Sequence, residues 1–521
     1  MDINTLKNLI SKIPKEVSHV TDTLEKAGFE AYLVGGCVRD LLMNKEPKDW
    51  DVATNAKPEQ IIGLFEKTVY ENTYGTVGVC VPVKALTTGD VPCETPEYMI
   101  IEVTPYRIEA KYSDFRHPSE VKFSEKLEDD LKRRDFTVNA MAFRNIKDKP
   151  ILTDMFEGLK DIKDKTLKAV GSPDERFQED ALRMLRAVRF ACQLNFSVSY
   201  ETMESIFKNA SLIKKISEER IRDEFVKIIM SPNPASGIVM LQKFNLLKNI
   251  IPELEEGIGC EQLGEHIYDV WNHSLQALTH AANKNWPLEI RLVALFHDIG
   301  KPKARRVAED SAKKKYTFYG HEVVGARMAK KIMERLKFPK KEIELVEKLV
   351  HNHMFFSDTE LITLSAVRRI ITKVGPADAK ALAGKQENHP IWDLMKVREC
   401  DRVGMKKKEA PYRLRKYFAM IEEALRDPIS VGQLKINGEF MIKELNIKPG
   451  PRMGWILHAL LEEVLDAPEK NTVEHLSELV KSLNMLGDAE LKTLGERGKE
   501  KKEELEEEEI AKLHEKHGVR K

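Results

Sequence analysis

The sequence predicts an α+β fold, in which an N-terminal mixed-sheet domain is followed by a long, all-helical remainder. Short β-branched or apolar segments recur between residues 30 and about 170 and alternate with helical stretches, which is the pattern of a mixed sheet. After the Gly171-Ser172-Pro173 segment the strand pattern almost stops, and apolar residues recur at three- and four-residue steps. That spacing is typical of amphipathic helices.

Length and composition narrow the class of protein. The chain has 521 residues, which is the length of about three to five compact domains. Lys+Arg and Asp+Glu are both 84, so a uniformly basic protein is excluded, although a local basic groove is not. No apolar run reaches the ~18–20 residues of a membrane span. The six cysteines are scattered and fit a reducing cytosol better than a disulfide scaffold, so we expect a cytoplasmic protein with no membrane segment.

The elements of the N-terminal domain follow in order along the chain. Residues 1–28 have the period of one amphipathic helix. A further helix is expected at 58–66. Strands of one sheet are predicted at 30–34, 50–53, 76–83, 98–103 and 137–142.

The rest of the chain is predicted to be a succession of helices. Helical periods cover residues 177–193, 200–230, 235–250, 262–405 and 429–485. A Lys/Arg-rich insertion at 301–315 is predicted to be a loop. Twenty of the 34 residues in the tail, 488–521, are charged, which leaves too few apolar positions for a core. We therefore expect the tail to be a solvated helix or a disordered end.

A candidate phosphate site lies where the first predicted strand ends. Gly35 and Gly36 allow a ligand to approach the backbone closely, and the helix that follows directs free N–H groups at an anion. Arg39 lies in the first turn of that helix and can bind a phosphate with two donors. A Gly-Gly turn before a helix is also common where nothing binds, so this motif alone is weak.

Carboxylates that could hold Mg²⁺ follow. Asp49 and Asp51 are two residues apart, and on a strand such residues point to the same face. Two converging carboxylates are unfavourable unless a cation lies between them, and Mg²⁺ is commonly bound in this way. Glu102, a lone acid in the β-rich run 100–104, is the candidate third carboxylate of a two-metal site. The alternative is that Glu102 is a surface acid on an edge strand.

A basic triplet precedes the last predicted strand of the sheet. Arg134, in the sequence Arg133-Arg134-Asp135, could clamp a triphosphate, and Asp135 could orient its guanidinium group. Such a triplet by itself is usually a surface salt-bridge patch. Its place just before a strand favours the functional interpretation.

The predicted helix 177–193 carries a stripe of polar residues. Asp180 and Arg183 are three residues apart and would be neighbours on the helix surface. A hydrogen-bond acceptor beside a two-donor fork can bind the edge of a base, and Arg186 and Arg189 continue the stripe toward phosphates or RNA. The alternative is a ladder of ion pairs on an exposed helix.

Histidines and aspartates recur in the helical region that follows. An adjacent His297-Asp298 pair has a histidine, His273, 24 residues before it. Imidazole and carboxylate groups on successive helices indicate a divalent transition-metal or Mg²⁺ site. The later candidates for this site are His321, His353 and Asp401.

The motifs of the first 230 residues resemble those of the bacterial class II tRNA nucleotidyltransferases, that is, CCA-adding enzymes and their poly(A) polymerase relatives. The motifs, in order, are LVGGCVRD, DWD, IEVTPYR, DDLKRRDFTVNAMA, RFQEDALRMLRAVRFA and the run from Ile216 to Glu224. The resemblance implies that Asp49 and Asp51 hold Mg²⁺ and that Gly36, Arg39 and Arg134 contact the nucleotide. It also implies that Asp180 and Arg183 select CTP or ATP, with Arg186 and Arg189 nearby, whereas Glu102 carries over less securely.

The second constellation resembles the HD phosphohydrolase domain that some members of this family contain. The resemblance implies that His273, His297, Asp298 and Asp401 are core ligands. His321 and His353 are implied as accessory ligands, with His351 as a competing choice, and Lys301 as a contact to phosphate. The implied chemistry is hydrolysis of phosphomonoesters or 2′,3′-cyclic phosphates, and the alternative is a relic domain that serves only shape or tRNA contact.

These resemblances imply a domain order. A nucleotidyltransferase head, 1–170, is followed by a helical neck for base selection and RNA binding, 171–255, and an HD-type domain, 256–410. A helical tRNA-binding domain, 411–487, and the charged tail, 488–521, complete the chain. The region around 446–451 resembles the family's tail only loosely, and a helical pair that merely packs against the body is the equal alternative.

The implied function is addition of C, C and A to the 3′ end of tRNA from CTP and ATP, without a nucleic-acid template. The sequence Tyr74-Gly75-Thr76-Val77-Gly78-Val79 is like that of the tRNA enzymes, and a full segment follows the third carboxylate at 106–126. Three alternatives stay open. They are a relative that adds only the terminal A or makes poly(A), an HD phosphohydrolase with a nucleotide-sensing head, and an RNA-binding protein whose head has lost catalysis.

Overall fold

The structure is a computed structural model, and it divides into two compact units, residues 1–351 and 352–521. Each unit is described by itself. The described residues are 3–70, 75–83, 97–109, 121–146, 149–262, 266–307, 316–355, 363–375, 389–405, 411–425 and 431–517. Tyr74, most of the segment 106–126 and most of the predicted loop 301–315 lie outside them.

A seven-stranded mixed sheet forms the N-terminal part of the first unit, in the order β3-β4-β5-β2-β1-β8-β9. Neighbouring strands of this sheet are antiparallel except for β2 and β5, which are parallel. Four two-residue strands and the short hairpin β6–β7 lie outside it. The strands are β1 (Ala31–Val34), β2 (Asp51–Thr54), β3 (Thr68–Tyr70), β4 (Val77–Val83), β5 (Glu97–Pro105), β6 (Arg107–Glu109), β7 (Val121–Phe123), β8 (Met141–Ile146), β9 (Lys149–Asp154), β10 (Thr166–Leu167), β11 (Ser197–Val198), β12 (Arg306–Val307) and β13 (Tyr316–Thr317).

The helices of the first unit alternate with these strands and then follow one another. They are α1 (Ile3–Ile10), α2 (Lys15–Lys26), α3 (Gly36–Leu42), α4 (Pro58–Leu64), α5 (Leu127–Lys132), α6 (Gly158–Lys163), α7 (Pro173–Glu179), α8 (Leu182–Leu194), α9 (Tyr200–Asn209), α10 (Glu218–Ile229), α11 (Pro234–Lys243), α12 (Leu247–Ile250), α13 (Pro252–Glu255), α14 (Val270–Asn283), α15 (Leu288–Phe296), α16 (Lys301–Ala304), α17 (His321–Arg335) and α18 (Lys340–Asn352). The predicted α+β class, with a mixed sheet before a helical remainder, is confirmed.

The second unit is helical in its described residues. It contains α19 (Leu364–Val374), α20 (Pro390–Asp401), α21 (Pro411–Leu425), α22 (Gly438–Lys443), α23 (Pro451–Asp466), α24 (Val473–Asn484) and α25 (Asp488–Lys516). Buried residues of α22, α23, α24 and the start of α25 share one hydrophobic cluster. The five-domain division predicted from the sequence stays a prediction.

Burial of apolar side chains fixes which face of the sheet is covered. Val77, Val79 and Val81 of β4 and Ile101 and Val103 of β5 are buried and share a core with the helices α1 to α4. Because side chains alternate along a strand, the residues between them point to the other face. Asp51 and Glu102 lie on that other face, since Asp51 precedes buried Val52 and Glu102 lies between Ile101 and Val103.

Three predicted elements differ in the structure. The predicted helix 1–28 is two helices, because Pro14 supplies no N–H and starts α2. The predicted strand 137–142 begins as a 3₁₀ turn at Thr137–Asn139, and β8 starts at Met141. The predicted helix 177–193 is broken at Asp180, where the backbone is extended with φ −138° and ψ 104°.

The charged tail is a helix, as one of the two predicted forms, but part of it is packed rather than solvated. Leu491 is fully buried in the hydrophobic cluster of the second unit. Gly495 and Gly498 lie very close to α23. A Cβ at Gly495 would lie 2.8 Å from Trp455 Cα, and a Cβ at Gly498 would lie 2.2 Å from the His458 carbonyl oxygen. These two glycines allow backbone packing with few apolar side chains.

Among the described residues, no helix is long and apolar enough to cross a membrane. The five cysteines that the structure describes form no disulfide.

Candidate active sites

A cleft of about 1300 Å³ lies in the first unit, between the sheet and the helices α8 and α10. Nine residues to which the resemblance assigns metal or nucleotide binding line it together, although they come from positions up to 153 apart in the chain. They are Gly36, Arg39, Asp49, Asp51, Arg134, Asp180, Arg183, Arg186 and Arg189. Eleven lysine and arginine side chains line the cleft against six carboxylates, so its charge suits a polyanion.

The turn between β1 and α3 leaves no room for a side chain. Gly35 has φ +76°, a conformation that L-residues rarely adopt. A Cβ at Gly35 would lie 2.9 Å from Arg134 Nη1 and 3.3 Å from Asp51 Oδ2. Gly35 therefore lies between the cation and the carboxylate of the cleft. The sequence prediction named Gly36 as the contact residue, whereas the closest packing is at Gly35.

The three candidate carboxylates are differently placed. Asp49 lies in a bend before β2, and Asp51 is the first residue of β2. Burial raises the pKa of Asp51, the neighbouring Arg134 opposes that rise, and Asp49 adds to it. Glu102 lies beside Asp51 in the parallel register of β2 and β5, but it is exposed and does not line the cleft. A cation would relieve the charge repulsion between Asp49 and Asp51, so these two residues fit a metal.

The two phosphate-binding candidates are each held by a side chain. Arg39 Nη1 donates to Asn139 Oδ1 at 2.7 Å. Arg134 donates from Nη2 to Asp130 Oδ2 at 3.0 Å, and Arg133 binds the other oxygen of the same carboxylate. Burial disfavours ionisation of Asp130, but the two guanidinium groups outweigh it and hold the pKa of that carboxyl below its usual range.

The predicted role of Asp135 is wrong, because Asp135 pairs with Arg186 and not with Arg134. Asp135 does not orient Arg134; its Oδ2 accepts from Arg186 Nε at 2.7 Å, 51 residues along the chain. Burial opposes ionisation of Asp135, and Arg186 more than offsets it, so the pKa of Asp135 is lowered. The reason is geometric, since Asp130 lies one helical turn before Arg134 on α5 and is the nearer acceptor.

Asp180 and Arg183 are not the helical neighbours that their spacing predicts. Asp180 lies in the break between α7 and α8, where its Oδ1 accepts from the Leu182 N–H at 3.0 Å. Its Oδ2 accepts from Arg220 Nη2 of α10 at 2.8 Å. Arg183 is held instead by Glu179, at 2.6 Å, and by the carbonyl oxygen of Arg133. Both side chains nevertheless line the cleft.

An aromatic ring organises the arginines at the back of the cleft. Phe190 on α8 lies under Arg189, whose guanidinium carbon is 4.2 Å from the ring centroid, and under Arg39 and Arg186 at 5.4 and 5.5 Å. Arg189 also pairs with buried Glu224 at 2.9 Å. Sequence reasoning missed Phe190, Glu179 and the pairing of Glu224, since their partners lie on other turns or other elements.

The second constellation contributes four buried residues to the first unit. Asp298 Oδ2 lies 3.6 Å from His273 Nε2 and 3.4 Å from His297 Nε2, and Asp298 Oδ1 lies 3.4 Å from His321 Nε2. The Nε2 atoms of His273 and His297 are 3.1 Å apart. Lys301 Nζ donates to Asp298 Oδ2 at 2.7 Å and to Gln262, so it holds the carboxylate in place.

The donor set fits a divalent metal. The Nδ1 atoms of His297 and His321 donate to the carbonyl oxygens of Ala294 and Phe318, at 3.0 and 2.8 Å, because a carbonyl can only accept. The Nε2 atom of each ring is then the nitrogen that can offer a lone pair, as in most metal-binding histidines. Ligands about 2.1 Å from one ion lie roughly 3.0–3.4 Å from each other, which is close to the separations of 3.1–3.6 Å here.

Two further candidates, His353 and Asp401, belong to the second unit. His353 is buried in a 3₁₀ turn, His353–Phe355, and Asp401 is the last residue of α20. Their predicted roles as ligands stay predictions, as does the choice between His353 and His351.

Comparison with known proteins identifies the domains that carry these sites. Residues 31–168 match the model of the poly(A) polymerase head domain. This part of the chain is therefore similar to a poly(A) polymerase head domain. Later in the chain, residues 195–258 match a model described as the probable RNA and SrmB-binding site of polymerase A, and residues 270–403 match the HD domain. The resemblances noted in the sequence are thereby confirmed.

Curated relatives of this chain include proteins named CCA-adding enzyme. The chain is 45% identical to one from Ligilactobacillus salivarius over 44% of this chain and 54% of that protein, and 39% identical to one from Levilactobacillus brevis over 53% and 65%. The chain thus spans about half to two thirds of the curated relatives it matches. The fold is that of the Bacillus stearothermophilus CCA-adding enzyme in complex with CTP, with a TM-score of 0.55 at 23% identity, covering 90% of this chain and 97% of that one.

Proposed function

We propose that the chain is a CCA-adding tRNA nucleotidyltransferase. In the reaction, the 3′-hydroxyl of a tRNA that lacks its end attacks the α-phosphate of CTP or ATP, and pyrophosphate leaves. The observation that carries the proposal is the single cleft that joins the Gly35–Gly36 turn and the Asp49 and Asp51 carboxylates to Asp180 and Arg183 of the helical neck. Relatives named CCA-adding enzyme support the choice of reaction.

Each side chain of the cleft has a separate task in this proposal. Asp49 and Asp51 would hold Mg²⁺, which when bound neutralises phosphate charge and lowers the pKa of an attacking hydroxyl. The turn at Gly35 admits the triphosphate to the backbone and to the N-terminus of α3. Arg39 and Arg134, held by Asn139 and Asp130, donate to the phosphates from fixed positions.

Base selection is assigned to Asp180 and Arg183, each of which keeps hydrogen-bonding capacity. A carboxylate has about four acceptor sites, and the described bonds of Asp180 use two. A guanidinium has about five donors, and the described bonds of Arg183 use three. Cytosine and adenine each present an amine donor beside a ring acceptor, whereas uracil and guanine present a carbonyl where the amine would be. An RNA template is therefore unnecessary.

Asp180→Ala is expected to lower the preference for CTP and ATP over UTP and GTP by about 10- to 100-fold. The unfavourable contact between a carbonyl and a carboxylate, worth ~1–3 kcal/mol, would be gone. The measurement is incorporation of all four nucleotides. Asp174→Ala is the matched control, since Asp174 lies in the same neck and binds Ser205, Lys208 and Asn209 away from the cleft. An unchanged preference in Asp180→Ala would show that this residue only joins α7 to α10.

Gly35→Ala is expected to raise the KM for CTP by about tenfold or more, because the new Cβ displaces Arg134 or Asp51. The control is Gly28→Ala. Gly28 also has positive φ, +89°, but has no atom within 4 Å of its Cβ position, so the variant adds a side chain at a positive-φ residue without the contact. Equal KM values for the two variants would contradict the proposed role of the turn.

Tests with defined acceptors separate the activities within the family. The purified chain would be given tRNA that ends before the CCA sequence, with labelled CTP, ATP or both. Extension with CTP alone by two nucleotides, and by three with both, supports CCA addition. Extension only of tRNA that already ends in CC would indicate an A-adding enzyme, and long runs of A would indicate a poly(A) polymerase. If no tRNA is extended, the alternative of an HD phosphohydrolase with a nucleotide-sensing head would remain.

A second activity is favoured by the buried cluster of His273, His297, Asp298 and His321. We propose that it holds a divalent metal and hydrolyses phosphomonoesters or 2′,3′-cyclic phosphates. Three imidazoles and one carboxylate suit a transition metal better than Mg²⁺. Lys301 donates to Asp298, and its implied contact with a phosphate stays a prediction. Five free cysteines support the predicted cytoplasmic setting.

A further inference from the structure

On the face of the sheet that carries Asp51 and Glu102, the strands β5 and β3 present exposed apolar side chains. Because register partners share a face, Asp51, Glu102, Gly78 and Val69 lie in one row across β2, β5, β4 and β3. The next rows on this face contain Ile100 and Tyr98 of β5. Val69, Ile100 and Tyr98 have 49%, 54% and 38% of their surfaces exposed. We name these three residues the platform.

The platform begins beside the carboxylates. Residues two apart on a strand are about 7 Å apart, so Ile100 lies about 7 Å from Glu102 along β5 and Tyr98 about 14 Å. The other face of the same strands is buried under α1 to α4. Large apolar side chains so exposed next to a polar site are typical of a binding surface.

The geometry of the reaction requires the acceptor on this side. In an in-line displacement the attacking and leaving oxygens lie on opposite sides of the phosphorus atom. The Gly35 turn directly follows β1, and Arg134 Nη1 and Arg39 Nη2 lie 2.9 and 3.7 Å from the Cβ positions of Gly35 and Gly36. The strands β5, β4 and β3 lie on the opposite side of β2. An attacking 3′-hydroxyl that arrives over β5 would therefore face away from the leaving pyrophosphate.

We infer that the platform binds the unpaired 3′ end of the acceptor RNA by stacking its last bases on Tyr98 and Ile100. This inference rests on the proposed transfer to an RNA 3′ end. Aromatic rings that stack on bases and cations that meet backbone phosphates are the usual elements of sequence-tolerant binding to single strands. Lys67 Nζ lies over one face of the Tyr98 ring, 3.7 Å from its centroid, and Lys67 is exposed. Sequence tolerance suits an end that changes with each added nucleotide.

The test compares the KM for tRNA in four variants of the full chain. Tyr98→Ala is expected to raise it by about 5- to 100-fold, the range found when a stacking aromatic is removed, and Tyr98→Phe should leave it unchanged. Ile100→Ala should raise it by a smaller factor. Ile151→Ala is the matched control, since Ile151 is 46% exposed on the opposite edge strand of the same sheet. The dissociation constant for CTP alone should be the same in all.

Two failures are distinguishable. If the parent chain extends tRNA but Tyr98→Ala and Ile100→Ala both keep the KM of Ile151→Ala, the platform assignment is wrong and the proposed function stands. If the parent extends no tRNA, the proposed function fails and the platform assignment falls with it. A rise in the dissociation constant for CTP equal to the rise in KM for tRNA would also overturn the inference, since Tyr98 would then act through the nucleotide.

Discussion

Asp51→Asn is expected to reduce nucleotide incorporation by about a thousandfold or more, while the dissociation constant for tRNA stays within about twofold. Asparagine keeps the size and a hydrogen-bonding oxygen of the side chain but removes the charge that Mg²⁺ requires. Loss of a metal ligand in such a site removes several kcal/mol of transition-state stabilisation, and ~4 kcal/mol is about three decades in rate. Single-turnover incorporation of labelled CTP measures the effect.

The control for that variant is Asp223→Asn. Asp223 has 55% of its side chain exposed and pairs with Arg222 on α10, outside the cleft. It should retain parental incorporation. Near-normal incorporation by Asp51→Asn would contradict the assignment of Asp51 as a metal ligand. If tRNA binding weakens in proportion to the lost rate, Asp51 contributes to RNA binding instead.

His273→Gln is expected to abolish hydrolysis by the second site, to lower its affinity for Mn²⁺ by about 10- to 100-fold or more, and to leave CCA addition unchanged. His273 Nε2 faces both His297 Nε2 and the Asp298 carboxylate, so we expect it to be a ligand of an ion held there. Loss of a ligand should cost at least the 10- to 100-fold reported for loss of its outer partners. Calorimetric titration of the metal-free chain with Mn²⁺ gives the affinity independently of activity.

His280→Gln is the matched control, because His280 lies on the same helix α14 and contacts Trp286 rather than the cluster. If His273→Gln binds Mn²⁺ as the parent does, the cluster is a buried hydrogen-bond network and not a metal site. If it loses metal but keeps hydrolysis, the hydrolytic site lies elsewhere.

Much of the head could be predicted from the sequence, since short-range pattern fixes it. The strand that ends at Gly35, the pair Asp49 and Asp51 and the run from Ile100 to Val103 occupy the places expected of them. These features depend on the alternation of apolar and polar residues and on glycine and proline, all of which act within a few residues of the chain. The histidine spacing similarly predicted that His273, His297 and Asp298 would meet.

The partners of the charged residues could not be predicted, because they depend on tertiary packing. The pairs Asp135–Arg186 and Asp180–Arg220 join residues 51 and 40 positions apart. Helical periodicity placed Asp180 beside Arg183, but the side chain of Asp180 caps the turn at Leu182 and ends the helix. Counting charges in the tail likewise missed the contribution of Gly495, whose lack of a side chain permits packing on α23.

The central claim is that side chains of one cleft choose the nucleotide and that the chain builds CCA on tRNA. Sequencing the 3′ ends of a tRNA transcript that lacks CCA, after reaction with equal concentrations of all four nucleotides and Mg²⁺, tests it most directly. The account predicts that nearly all extended ends read CCA and that extension stops there. Ends that carry runs of A, a mixture of all four nucleotides, or no extension would contradict it.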